Sequence, residues 1–115
     1  MGRLTTHVLD TAAGCPAAEL YIELWCLDGD PTRLTTLSTN ADGRADTPLL
    51  EGSSFRKGTY ELRFFAGDYL RRSQTLPEPA FLDMIPIRFG ISNSDQHYHV
   101  TLLLSAYGYS IYRGS

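Results

Sequence analysis

Apolar and polar residues alternate with a period of two along most of this chain, and Gly, Pro, Asn and Asp interrupt the alternation at short intervals. In residues 3–10, Leu4, Thr6 and Val8 fall on one face of an extended segment and Thr5, His7 and Leu9 on the other. Residues 11–17 carry a Gly and a Pro and read as a loop. A second strand over 18–27 sets Leu20, Ile22, Leu24 and Cys26 against Tyr21, Glu23 and Trp25. After the Asp28-Gly29-Asp30-Pro31 turn, a threonine-rich third strand over 33–40 suits a half-exposed sheet. The turn Asn40-Ala41-Asp42-Gly43 then delivers Arg44, and a loop follows with a short strand expected near Thr47. Residues 59–65 alternate strongly, with Tyr60, Leu62 and Phe64 opposed to Glu61, Arg63 and Phe65.

One short helix is expected at 66–73, closed off by Pro77 and Pro79. Strand character resumes at 84–91, where Ile85, Ile87, Phe89 and Ile91 share a face and Pro86, lacking an amide donor, points the strand to a sheet edge. The chain then forms a hairpin: residues 97–105, a turn at Ala106-Tyr107-Gly108, and a last strand reaching the terminus. Seven to eight short strands with almost no helix predict an all-β sandwich of two antiparallel sheets, formed as a single domain over residues 1–115.

Composition narrows the function without choosing it. Ten basic and thirteen acidic residues leave a net charge of -3 with the cations scattered, so no footprint for a nucleic-acid backbone is present. Cys15 and Cys26 make neither a CxxC pair nor a zinc-knuckle spacing and read as free thiols of a reducing compartment. With no apolar run near the roughly 18 residues of a membrane span and none of signal-peptide length, a cytoplasmic protein without membrane partners is expected.

The chemistry concentrates in the closing hairpin. Tyr98, Val100, Leu102 and Leu104 make an apolar face, leaving His97, His99, Thr101, Leu103 and Ser105 on the other. The last strand alternates likewise, so one polar face brings His99, Ser110 and Tyr112 together. Any single histidine here fits an ordinary edge position. As a pair, His7 and His99 suit general acid–base work, because an imidazole takes and returns a proton near neutral pH. The HxH of His97 and His99, joined by His7, offers a zinc alternative, although no HExxH or carboxylate-rich companion occurs. Arg44 is either a solvated turn charge or a fixed cation for a developing oxyanion. Cys15 has no basic partner in the sequence, and Ser105 and Ser110 lack a GxSxG elbow, so nucleophilic catalysis is disfavoured.

Four stretches, LTTHVLDTAAGCPA, TNADGRADTPLL, FLDMIPIRFGI and HYHVTLLLSAYGYSIYRGS, together resemble the 5-hydroxyisourate hydrolase family of transthyretin-related proteins. The resemblance implies a transthyretin-like sandwich assembled as a homotetramer, a dimer of dimers, with sites in a channel between dimers. It implies hydrolysis of a ring amide of 5-hydroxyisourate to 2-oxo-4-hydroxy-4-carboxy-5-ureidoimidazoline in urate degradation, with no metal or organic cofactor. The implied catalytic residues are His7, Arg44 and His99, with His7, Arg44, Ser110, Tyr112, Arg113 and Ser115 on the substrate. Thr101 and Ala106 stand where the family usually has proline, and Ile111 where it usually has threonine. The alternative is a non-catalytic small-ligand carrier on the same fold, as transthyretin is.

Overall fold

Two sheets form from strands whose apolar faces turn toward each other. The computed structural model describes residues 2–114. Its strands are β1 (Arg3–Asp10), β2 (Cys15–Pro16), β3 (Tyr21–Cys26), β4 (Thr32–Ser38), β5 (Leu50–Glu51), β6 (Gly58–Phe65), β7 (Met84–Ile91), β8 (Tyr98–Leu104) and β9 (Tyr109–Gly114). The helix α1 (Ala66–Leu70) lies between β6 and β7. One sheet has the order β2-β1-β8-β9, with β5 also pairing to β1; the other has the order β4-β3-β6-β7. The all-β sandwich is therefore as expected, with two two-residue strands added to seven longer ones.

Leu4, Val8, Leu102 and Leu104 of the first sheet and Ile22, Leu24, Leu62, Phe64, Ile85 and Ile91 of the second are buried in the interlayer core. Each such side chain contributes about 1.5–3 kcal/mol on burial. Thr6 shares this inward face; its buried hydroxyl donates to the carbonyl of Val100 at 2.9 Å, so the polar atom is satisfied.

The alternation did not reveal strand direction. All other strand pairs are antiparallel, but β1 and β8 run parallel, in register from Leu4 opposite Tyr98 to Asp10 opposite Leu104. The strand expected near Thr47 lies instead at Leu50–Glu51. Pro48 has no amide donor to offer a ladder, whereas Leu49 donates to the carbonyl of Leu4 at 2.8 Å and Leu50 is buried. The helix is shorter than 66–73, although turn hydrogen bonds such as Ser73 N to Leu70 O continue through its end. Strand β7 is an edge strand, as Pro86 requires.

Ile111 pairs with Leu102 and so lies on the inward side, yet it remains 38% exposed, because β9 is the outer strand of its sheet. Cys15 is exposed and Cys26 partly buried, both as free thiols. Among the described residues no helix is long and apolar enough to cross a membrane.

The β8–β9 turn is closed by Ser105, whose amide donates to the Gly108 carbonyl at 2.9 Å and whose hydroxyl donates to the same atom at 3.0 Å. No described group accepts from the Ala106 amide, so proline there removes no hydrogen bond. Ala106→Pro is expected to change stability by no more than ~1 kcal/mol in a thermal melt; a larger loss would mean that the backbone at 106 lies outside the range of proline.

Candidate active site

The outer faces of the two sheets differ in how their charges are used. On the β4-β3-β6-β7 sheet the polar groups satisfy one another. Arg63 lies 4.1 Å above the Trp25 ring and donates from Nε to Glu61 at 2.7 Å, while Glu23 accepts from Trp25 Nε1 and Tyr21 OH. On the other sheet, Arg44 and the histidines form no ion pair with any described residue. The Arg44 guanidinium is therefore not neutralised by a described carboxylate.

Arg44 arrives there through a turn built by Asn40. The Asn40 Oδ1 accepts from the amides of Asp42 at 2.9 Å and Arg44 at 3.1 Å, and its backbone pairs with Gly43 and Arg44. Gly43, at φ +74, has its carbonyl on the Val8 amide at 2.8 Å, and a Cβ would fall 2.3 Å from the Val8 carbonyl oxygen. Only glycine permits that approach. The result is a bridge between His7 and Arg44, which places the guanidinium-bearing residue beside β1.

The parallel register supplies the remaining groups. Thr5 lies opposite His99 and His7 opposite Thr101, all on the outward face. The Thr5 hydroxyl contacts His99 Nδ1 at 2.6 Å and His97 Nε2 at 2.9 Å. The His7 and His99 ring centroids are 6.3 Å apart. Gly114, opposite His99 on β9, leaves space for that ring, since a Cβ there would lie 2.9 Å from Cδ2.

These residues line a cleft of about 490 Å³ with Arg3, Ala45, Thr101 and Tyr112. The volume suits a small polar ligand. No carboxylate is among the described lining residues. Desolvation lowers the pKa of His7, the Arg44 charge lowers it further, and the backbone and charge of Asp42 pull the other way. Desolvation likewise lowers His99, followed by the charges of Arg44, His7 and His97. Both rings are held toward the neutral form, in which one nitrogen is a base.

Of the residues singled out in the sequence as candidates for chemistry, His7, Arg44, His97, His99 and Tyr112 converge on this cleft. Ser110 pairs with Leu103, farther along β9 and away from it. Arg113 is on the opposite face, 3.8 Å above the Tyr98 ring, with Nη2 donating to Gln96 Oε1 at 3.2 Å and His97 O at 3.0 Å. Ser115 lies outside the described residues. Among these, no three His, Cys, Asp or Glu side chains group as a metal site requires. Arg3 and Thr5 were missed as site residues. The signal for Thr5 was its place two positions before His7, on the same face of β1.

Because both histidines have folded-state pKa values below the unfolded one, their neutral forms favour the native state. That stability is complete above about pH 6.5 and is lost as pH falls toward the depressed native values. Arg44→Gln is expected to raise both titration midpoints toward about 6.5 in an NMR pH titration, and Gly43→Ala, which dislodges the turn, should raise that of His7. Unmoved midpoints in Arg44→Gln would show that the guanidinium does not act on either ring.

Residues 4–114 match the profile of the HIUase/Transthyretin family. The chain is 66% identical over 116 residues to a 5-hydroxyisourate hydrolase of Mesorhizobium japonicum, covering 99% of this chain and 93% of that one. It superposes on the crystal structure of an (S)-allantoin synthase with a TM-score of 0.94 and 45% identity, covering 99% of this chain but only 44% of that larger one. Sea bream transthyretin in complex with thyroxine shares the fold, with a TM-score of 0.88 at 24% identity over 97% of this chain and 94% of that one. The chain belongs to the HIUase/Transthyretin family.

Proposed function

We propose that this protein hydrolyses 5-hydroxyisourate to 2-oxo-4-hydroxy-4-carboxy-5-ureidoimidazoline, within urate degradation. The observation that carries the reading is a pair of imidazoles, both biased to the neutral form and 6.3 Å apart, beside an arginine that has no acidic partner among the described residues. Water bound between the rings gives a proton to Nε2 of His99 as its oxygen bonds to the ring carbonyl carbon. His7 orients that water. Arg44 stabilises the negative charge that builds on the carbonyl oxygen, the step at which a fixed cation contributes most. The carbon–nitrogen bond then breaks, the proton passes from His99 to the departing nitrogen, and the ring opens to a carboxylic acid. Tyr112 shapes one wall of the cleft.

The same reading carries an assembly and a location. A homotetramer, a dimer of dimers, is supported by the openness of the cleft on the outer face and by the exposed Tyr109, Ile111 and Tyr112 of β9. The free cysteines support a cytoplasmic setting.

The test is to generate 5-hydroxyisourate in place from urate with urate oxidase and follow its ultraviolet decay. The protein should accelerate the decay, and His99→Ala and Arg44→Ala should each lower turnover by roughly 10² or more with the fold intact by circular dichroism. Full activity in either variant would remove that residue from the mechanism. No acceleration by the parent protein would favour the carrier.

A further inference from the structure

We propose that Thr5 is a positioning residue that couples the tautomer of His99 to that of His97, so that His97 decides whether His99 can serve as a base. This inference rests on the hydrolytic reading above and adds a residue and a coupling to it. The Thr5 hydroxyl carries one hydrogen and stands within bonding distance of two ring nitrogens, His99 Nδ1 at 2.6 Å and His97 Nε2 at 2.9 Å. It donates to one of them and accepts from the other.

Two arrangements satisfy this. In the first, His99 donates from Nδ1 to Thr5, and Thr5 donates to a bare Nε2 of His97. His99 then has its lone pair on Nε2, the nitrogen that makes no hydrogen bond with a described residue. In the second, His97 holds a proton on Nε2, alone or as imidazolium, and donates it to Thr5. Thr5 must then give its hydrogen to Nδ1 of His99, whose Nε2 carries a proton and accepts none from water. Only the first arrangement is competent for the base role.

The geometry is built to hold this relay. The β1–β8 register sets Thr5 directly across from His99, Arg113 holds the His97 carbonyl at 3.0 Å, and Gly114 admits the His99 ring against β9. His99 shares the cleft with the charged or titratable side chains of Arg3, His7, Arg44, His97 and Tyr112; desolvation, then the charges of Arg44, His7 and His97, disfavour its doubly protonated form. Thr5 governs which nitrogen bears the single remaining proton.

The test is nitrogen-15 NMR of histidine-labelled protein at alkaline pH, where the ring shifts identify the tautomer, run beside the turnover assay. In the parent, His99 should hold its proton on Nδ1. Thr5→Val, which removes the hydroxyl at constant shape, should give mixed His99 tautomers and lower kcat by about tenfold or more with KM within about twofold. Thr5→Ser should restore both. His97→Leu should also mix the tautomers of His99. An unchanged His99 tautomer in Thr5→Val would overturn the role of Thr5, and one unchanged in His97→Leu would overturn the coupling. A changed tautomer with unchanged kcat would leave the coupling standing and remove His99 as the base.

Discussion

The parallel pairing of β1 with β8 is the constraint on which the rest of the site depends. In a parallel ladder the side chains of paired residues stand on the same face. A register from Leu4 opposite Tyr98 to Asp10 opposite Leu104 therefore does two things at once. Inward, it aligns Leu4, Val8, Leu102 and Leu104 for the core. Outward, it brings Thr5 beside His99 and His7 beside Thr101. A shift by one residue would send the leucines to solvent and the histidines into the core, so burial of the apolar face holds the chemistry in register.

Around that pair, each supporting element supplies something the two strands lack. The turn over residues 40–44 brings a cation that strand alternation alone does not provide, and it does so because Gly43 lets two backbones meet. The last strand contributes space and a wall: a glycine against His99 and Tyr112 along the cleft. Arg113, one residue from each of these, faces the other way and ties the start of β8 through Tyr98 and His97. The tail is thus divided residue by residue between lining the cleft and bracing the strand that carries His99.

Electrostatics separate the two outer faces. On the second sheet, Glu23 and Glu61 engage Tyr21, Trp25, Arg33, Arg63 and Arg88, so that layer is closed on itself. The cleft face has cations and neutral bases but no lining carboxylate among the described residues. Partial burial and the Arg44 charge act in one direction on both histidines, biasing them toward the neutral form. The sandwich is shared with a transthyretin in complex with thyroxine, so the fold does not by itself assign chemistry to this face; that depends on the side chains it carries.

The resemblance of four stretches to a known family singled out His7, Arg44, His99 and Tyr112 as a set; period-two alternation and turn residues determined, by themselves, that the chain is a β-sandwich, which residues face inward, and that β7 is an edge. Those features are local, because side-chain direction in a strand and the demands of a turn are set within a few residues. Tertiary structure alone decided that β1 runs parallel to β8, that the short strand falls at Leu50–Glu51, that Ser110 stands apart from the cleft, and that Thr5 lies between two imidazoles. Strand direction and partner choice depend on contacts between distant segments, as between Thr5 and His97, which are 92 residues apart in the chain. No alternation within either segment encodes that meeting.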